Sequence, residues 1–187
     1  MARHVKGVLF VTYVRMVRGT KDRPWSAHLL PEDQPYLRQR IDESAWYPME
    51  TFERLGLAIL KLVANGNLTL VRSWGRLSAV DVSSSFEGLI VPGDPRETLM
   101  RIQVVRRTFF DFETITVLEL DDTAAMLEMG YGMSPAAEEA AAMQALGFFE
   151  GLVELSDGRA TEAALVERAW AGDPRTVLRL AWDLPPA

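Results

Sequence analysis

The side chains that most often carry catalysis or bind metals are scarce in this sequence of 187 residues. It has no cysteine, which excludes disulfides, thiolate nucleophiles and zinc–thiolate sites. Its two histidines, His4 and His28, lie near the N-terminus and form neither a catalytic triad nor a metal cluster. We therefore predict ordinary loop or surface histidines, no bound metal, no cofactor and no enzymatic activity.

Adjacent carboxylates are the remaining candidates for acid–base chemistry, which needs two buried carboxyl groups in unequal environments. Among such pairs are Glu32/Asp33, Asp121/Asp122 and Glu138/Glu139. Adjacent residues of a helix do not face each other, so such pairs are poorly placed to act together. We interpret the first and third pairs as first-turn acids favoured by the helix dipole, and the second pair as part of a turn.

Two glycines four residues apart occur in the segment Gly147-Phe148-Phe149-Glu150-Gly151. The segment is not a phosphate loop, because it lies inside a helical pattern and lacks the Lys-Ser/Thr ending. Small residues at this spacing allow another element to approach a helix closely. We predict a packing role for both glycines.

Aromatic residues are the most informative group. Most of them must build the core, but some could line an apolar cavity between helices and a sheet. Those in predicted elements are Trp46, Tyr47, Phe52, Trp74, Phe109, Phe110, Tyr131, Phe148, Phe149 and Trp170. A ligand pocket would be lined by some of Trp46, Tyr47, Phe52, Trp74, Phe109 and Phe148.

Charge and hydropathy restrict the partners and the location of the protein. Its formal net charge of −6 argues against general binding to nucleic acid, which needs clustered Lys and Arg. Arg101, Arg106 and Arg107 are close in sequence, and we interpret them as a solvated helix face. No apolar stretch reaches the ~20 residues that span a bilayer, and no signal-peptide pattern is visible. We expect a cytoplasmic protein without a membrane span.

The elements that position these residues begin with about five predicted helices. A β-branched stretch from Val5 favours a short extended start that runs into a helix. A second helix is predicted over about 31–41, and a third begins at Trp46-Tyr47-Pro48. A fourth ends in Ser83-Ser84-Ser85, because serine hydroxyls compete for the backbone. The fifth follows Asp94, a capping residue with proline at the first helical position and Glu97 at the third.

The second part of the chain alternates between β and α patterns. Two short strands are predicted over about 114–120 and 124–133, and a long helix from Ser134-Pro135 to about Leu155. Two more strands, over about 165–170 and 176–182, flank a turn. We predict one α+β domain over residues 1–187, with a helical part over about 5–111 and a β-β-α-β-β part over about 112–184. Its four strands form one antiparallel sheet with helices packed on a face.

Four short motifs spread along the chain are Val5-Lys6-Gly7-Val8-Leu9-Phe10, Trp46-Tyr47-Pro48, the segment 147–155 and Gly172-Asp173-Pro174. In order and spacing they resemble a paralogous family of uncharacterised proteins abundant in myxobacteria. That family is similar to haem-nitric-oxide-binding domains, 4-vinyl-reductase-type effector-binding domains and TRAPP trafficking subunits. The resemblance implies helices on a four-stranded antiparallel sheet, a cavity for a small molecule or acyl chain, and often a dimer.

Two departures from the similar groups limit what the resemblance implies. The haem-binding group needs a histidine ligand in the region that corresponds to about 95–112, and this sequence has none there. Haem bound in that way is therefore not expected. The effector-binding group often has cysteines near the C-terminal hairpin, where this chain reads Gly172-Asp173-Pro174-Arg175-Thr176. A metal site at those positions is not expected either.

Two functions of different class follow from this reading. The first is a non-catalytic sensory or regulatory module that binds an apolar small molecule in a pocket between helices and sheet. The second is an adaptor without a ligand that forms a homodimer or binds another protein. In the second case the Ala-rich helix that begins Pro135-Ala136-Ala137 is the candidate docking face.

Overall fold

The computed structural model describes residues 2–184, apart from the side chain of Ala160. The chain divides into two compact units. Unit 1 contains the chain up to Asn67 together with Arg107–Glu113, and unit 2 contains Leu68–Arg106 together with the chain from Thr114 onward. The prediction of one domain, with a helical part and a β-β-α-β-β part that meet near residue 111, stays a prediction.

Unit 1 is made of short elements joined by turns. Its elements are β1 (His4–Lys6), α1 (Gly7–Gly19), α2 (Gln34–Arg38), β2 (Trp46–Pro48) and α3 (Met49–Leu62), with 3-10 turns at Trp25–Ala27 and Pro31–Asp33. The extended start that runs into a helix is thus confirmed. The predicted helix over 31–41 is shorter, and a strand precedes α3 because Trp46-Tyr47-Pro48 pairs with β1.

Strand β1 is paired on both sides. It runs antiparallel to β2, with Val5 opposite Tyr47, and it also forms a β-bridge between Val5 and Phe110. The N–H of Lys6 donates to the carbonyl of Phe109 at 2.7 Å. These bonds tie Arg107–Glu113 to the start of the chain, although about a hundred residues separate the two in sequence.

Unit 2 contains the predicted sheet. Its elements are α4 (Leu68–Ser85), α5 (Pro95–Val105), β3 (Ile115–Leu120), β4 (Ala124–Met129), α6 (Pro135–Leu155), β5 (Arg159–Glu167) and β6 (Thr176–Asp183). The strands form one antiparallel sheet in the order β3-β4-β6-β5. The α+β class, the β-β-α-β-β order and the four-stranded sheet are confirmed.

The starts of two elements in unit 2 show where a local sequence pattern predicts a boundary well and where it does not. The carboxylate of Asp94 accepts the N–H of Glu97 at 2.8 Å, so the predicted cap of α5 is confirmed. Strand β5 begins at Arg159, six residues before the predicted start at Leu165. The alanines and charged residues of its first half have weak β propensity, and pairing with β6 decides their conformation.

The core of unit 2 lies between the helices and one face of the sheet. Alternate residues of β6, among them Leu178, Leu180 and Trp182, point into it. From the helices, Leu99 and Phe149 are among the side chains that complete the same cluster. None of the helices in the described part of the chain is long and apolar enough to cross a membrane.

Candidate functional site

An aromatic cluster in unit 1 is built around Phe10 of α1. The Phe10 ring stacks on Tyr47 of β2, with ring centroids 4.5 Å apart, and meets the ring of Tyr36 edge-on at 5.3 Å. Phe52 of α3 stacks on Tyr13 at 4.4 Å and lies 6.4 Å from Phe10. Rings in these arrangements attract each other beyond the effect of the apolar area that they bury. Tyr47 and Phe52, both predicted for the pocket, are thus brought together.

Three members of this cluster were missed as candidate residues. Phe10 and Tyr13 are three residues apart on α1, and this spacing was a usable signal that they share a helix face. Tyr36 lies on α2, and no pattern in the sequence connects it with β2. The hydroxyl of Tyr47 accepts the N–H of Asp42 at 2.9 Å, which fixes the ring in place.

Trp46 and Phe109, also predicted for the pocket, have different surroundings. Trp46 is 43% exposed, and the ammonium group of Lys6 lies 4.3 Å from the centre of its ring. Successive side chains of a strand point to opposite faces, so Trp46 faces away from its neighbour Tyr47. Phe109 is buried in unit 1.

The histidine His4 forms a pair with a carboxylate. Its Nδ1 lies 2.6 Å from Oδ2 of Asp111, and its backbone N–H donates to Oδ1 of the same residue at 2.7 Å. Partial burial raises the pKa of Asp111, but the two bonds from His4 outweigh it and hold the pKa below the ordinary value of 3.8. His28 follows the first 3-10 turn and is half-buried. His4 is therefore a surface histidine, as predicted, and it is paired with a carboxylate.

Trp74 and Phe148 lie on the two helices of unit 2 that pack most closely. A Cβ added at Gly75 of α4 would overlap the carbonyl oxygen of Gln144, and one added at Gly147 of α6 would overlap the carbonyl oxygen of Arg72. The predicted packing role of the glycines is confirmed. Trp74 and Phe148 flank this close contact, and both are half-buried.

Ion pairs between α4 and α6 accompany the close contact. Arg72 donates to both carboxylate oxygens of the buried Glu150, at 2.9 and 3.0 Å, and Arg76 bonds to Glu154. Arg76 also lies 3.3 Å from Glu150. This network was not predicted, although Arg72/Arg76 and Glu150/Glu154 are each spaced four residues apart on one helix face.

Glu32 and Asp33 lie in the first turn, as predicted, and Asp33 has a further role. It does accept the N–H of Leu30 at the start of its turn, at 2.9 Å, as a first-turn acid can. However, its side chain is fully buried and is bonded by Nε and Nη2 of Arg54 at 2.8 and 2.7 Å. The two bonds connect the 3-10 turn to α3 through one guanidinium group.

The other predicted charged groups largely have the expected surroundings. Asp121 accepts the N–H groups of Thr123 and Ala124, which confirms a turn. Arg101 is exposed and donates to the carboxylate of Glu97, which agrees with the predicted solvated helix face. Arg106 is different, because it is buried in the 3-10 turn that follows α5. The solvated-face interpretation was wrong for that residue.

The predicted pocket residues are divided between the two units. Unit 1 holds Trp46, Tyr47, Phe52 and Phe109, and unit 2 holds Trp74 and Phe148. Only Tyr47 and Phe52 share a described ring cluster, through Phe10. A pocket lined by the predicted set stays a prediction. Among residues 2–184, no group of three or more His, Asp or Glu side chains is arranged to hold a metal ion.

Solved structures similar to this one extend over nearly the whole chain. The H-NOX (haem-nitric-oxide-binding) protein from K. algicida, in its unliganded Fe(II) form, matches with a TM-score of 0.69 at 16% identity, over 97% of this chain and 98% of that one. The chain has the fold of H-NOX domains. An H-NOX mutant from S. oneidensis matches with a TM-score of 0.63 at 13% identity, over 97% of each chain.

In a third solved structure, the haem redox potential is modulated through protein-induced porphyrin distortion. That structure matches this chain with a TM-score of 0.60 at 15% identity, over 97% of each chain. No family model and no curated protein matches this chain. At these identities the comparisons establish the H-NOX fold.

Proposed function

We propose that this protein is a non-catalytic sensory or regulatory module that binds an apolar small molecule. The observation that carries the proposal is the H-NOX fold along at least 95% of both chains. A fold alone does not define a function, because sites vary on a common scaffold. The scarcity of catalytic side chains supports a binding role over an enzymatic one.

The proposed pocket lies between helices and sheet. In unit 2, Trp74 and Phe148 are the candidate lining residues, since they are half-buried on α4 and α6. Phe148 packs against the apolar cluster that reaches the sheet. An aromatic wall of this kind would hold an apolar ligand by excluding water, and ligand binding would favour one position of a helix over another.

A haem held by a histidine of α5 does not fit this chain. The buried residues of α5 include Thr98, Leu99 and Ile102, and none of them is an iron ligand. The hydroxyl of Thr98 already accepts the N–H of Val91 at 2.9 Å. We therefore propose no step that involves haem iron in this protein.

Membership of the myxobacterial family and a location in the cytoplasm belong to the same proposal. The four motifs support the first, and the cysteine-free composition, which fits a reducing compartment, supports the second. Neither is needed for the ligand test that follows.

The adaptor function has one observation in its favour. On α4, Leu77 is 64% exposed and Val80 is 47% exposed, and they lie three residues apart on one face of the helix. A homodimer contact or a protein partner would cover such a face. The docking face predicted at Pro135-Ala136-Ala137 is less suitable, because Ala137 is buried.

Native mass spectrometry of the purified protein tests the proposed function. Excess mass over the denatured chain, lost on unfolding, is the expected result. Trp74→Ala should abolish the excess mass while leaving the fold intact. Trp170→Ala is the matched control, because Trp170 is a half-buried tryptophan of the same unit outside the predicted lining. Equal ligand retention in Trp74→Ala would argue against this pocket, and a bare dimer in the wild type would favour the adaptor.

A further inference from the structure

Iron in haem proteins is held by a small set of side chains. His, Cys, Tyr and Met supply the axial ligand, and Met usually does so together with His. The distribution of these residues over the two units therefore bears on how this chain binds its ligand.

The whole of unit 2 contains neither histidine nor cysteine. Both histidines, His4 and His28, lie in unit 1. Nδ1 of His4 is already paired with Asp111, and its side chain lies on the surface. Unit 2 itself therefore supplies no histidine or thiolate ligand for iron.

The remaining ligand classes in unit 2 are its methionines and a single tyrosine, and methionine usually binds haem iron together with a histidine, which this unit lacks. Met129 is buried in the apolar cluster, opposite Ile115 on the neighbouring strand. Met100 is exposed on α5. Tyr131 is the single tyrosine of unit 2 and follows β4, where its backbone N–H donates to Glu138 at 2.9 Å.

We infer that this protein is a haem-independent version of the H-NOX fold, whose ligand is a metal-free apolar molecule held by van der Waals contact and desolvation. The inference rests on the proposed function for the existence of a ligand. What it adds is that the ligand is held without any bond from a side chain to iron. The apolar character of the α5 face formed by Leu99 and Ile102 carries it, since neither side chain can bind iron.

The first test is expression with added haem precursor and iron, in parallel with the K. algicida H-NOX protein as a positive control. Haem content is measured by the pyridine haemochromogen assay after gel filtration, and native mass is measured on the same sample. We expect the control to carry haem and this chain to carry none in stoichiometric amount. One haem per chain that survives gel filtration would overturn the inference.

A hemin titration separates an iron bond from adsorption of an apolar ring. We expect the wild type, His4→Ala, His28→Ala and Tyr131→Phe to give the same broad spectrum of unligated hemin. A sharp Soret band in the wild type that is lost in one variant would identify an axial ligand and overturn the inference.

The outcomes distinguish this inference from the proposed function. A retained organic molecule without iron supports both. A retained haem contradicts the inference and leaves the sensor function standing. A chain that retains nothing under either condition contradicts the sensor function, while the prediction of no iron bond holds.

Discussion

The two units hold their helices in different ways. In unit 1, α1, α2 and α3 are joined mainly by side chains, through the stacked rings around Phe10 and the buried Asp33–Arg54 pair, and its close backbone contact lies between a helix start and a turn, at Gly7 and Asp42. In unit 2, the backbones of two helices, α4 and α6, meet directly at Gly75 and Gly147. Side-chain contacts can adjust to a small change, whereas a backbone contact leaves no room for an added atom. We therefore expect a larger effect from one added atom at the helix contact of unit 2 than from a change at the side-chain contacts of unit 1.

The largest effect is expected for Gly147→Ala. The new Cβ would overlap the carbonyl oxygen of Arg72, and backbone cannot move aside as a flexible side chain can. Overpacking of this kind should lower the free energy of unfolding by about 3 kcal/mol, despite the better helix propensity of alanine. Urea denaturation followed by circular dichroism measures the change.

The matched control for that substitution is Gly19→Ala. Gly19 ends α1, and a Cβ there would meet nothing within 4 Å. We expect a change within about 0.5 kcal/mol of the wild type. If both variants were equally stable, the close contact of α4 with α6 would not be a constraint on unit 2.

The second effect is expected for Asp33→Asn in unit 1. The neutral amide cannot accept both bonds from Arg54, and the guanidinium then lacks its buried partner. Because Arg54 is partly exposed to solvent, the free energy of unfolding should fall by about 2 kcal/mol. A smaller loss of unfolding free energy than in Gly147→Ala would support the contrast between the two units. A larger loss would show that unit 1 tolerates a single substitution less well than unit 2.

The Asp33 carboxylate also makes the stability of unit 1 depend on pH. Burial raises its pKa, but hydrogen bonds from Arg54, Leu30 and Thr51 outweigh burial, so the pKa in the folded chain lies below 3.8. Because the pKa is lower in the folded than in the unfolded chain, the stabilisation is fully present above about pH 4 and is lost as the pH falls through the folded value.

Wild type and Asp33→Asn measured side by side isolate this pH dependence. The difference in their free energies of unfolding should be constant near neutral pH and should shrink as the pH falls below about 4. A difference that does not change over this range would show that the carboxylate is not held ionised by Arg54.

The smallest effect is expected for the ion pairs between α4 and α6. Glu150→Gln removes the charge from a buried carboxylate that accepts two bonds from Arg72, and should cost about 1–2 kcal/mol. Glu154→Gln is the paired control on an exposed residue and should cost less than about 1 kcal/mol. Equal costs, measured by urea denaturation, would show that burial of Glu150 does not matter.

Much of the fold could be predicted because its signals are local. Asp94 with Pro95 fixed the start of α5, and Ser134-Pro135 fixed the start of α6. The strand β2 and the early start of β5 could not be predicted, because their residues become extended through pairing with distant strands. The division of the helices between the two units also depends on packing, and no pattern in the sequence expresses it.

Less of the candidate site could be predicted. Aromatic residues could be named as candidates by type, but Phe10, Tyr13 and Tyr36 were missed, and Trp46 is exposed. Aromatic side chains look alike in sequence whether they fill a core or face solvent. Their assignment needs the position of the neighbouring elements.

The sequence by itself determined the α+β class, the order of the strands along the chain, the absence of cysteine and the position of both histidines, His4 and His28, near the N-terminus. These properties depend on residue types and on local periodicity. The tertiary structure decided which charges are buried and paired, as for Asp33 and Glu150, and where backbones touch, as at Gly147. The physical reason is that burial and close approach depend on residues far apart in the chain, and local patterns contain no information about those partners.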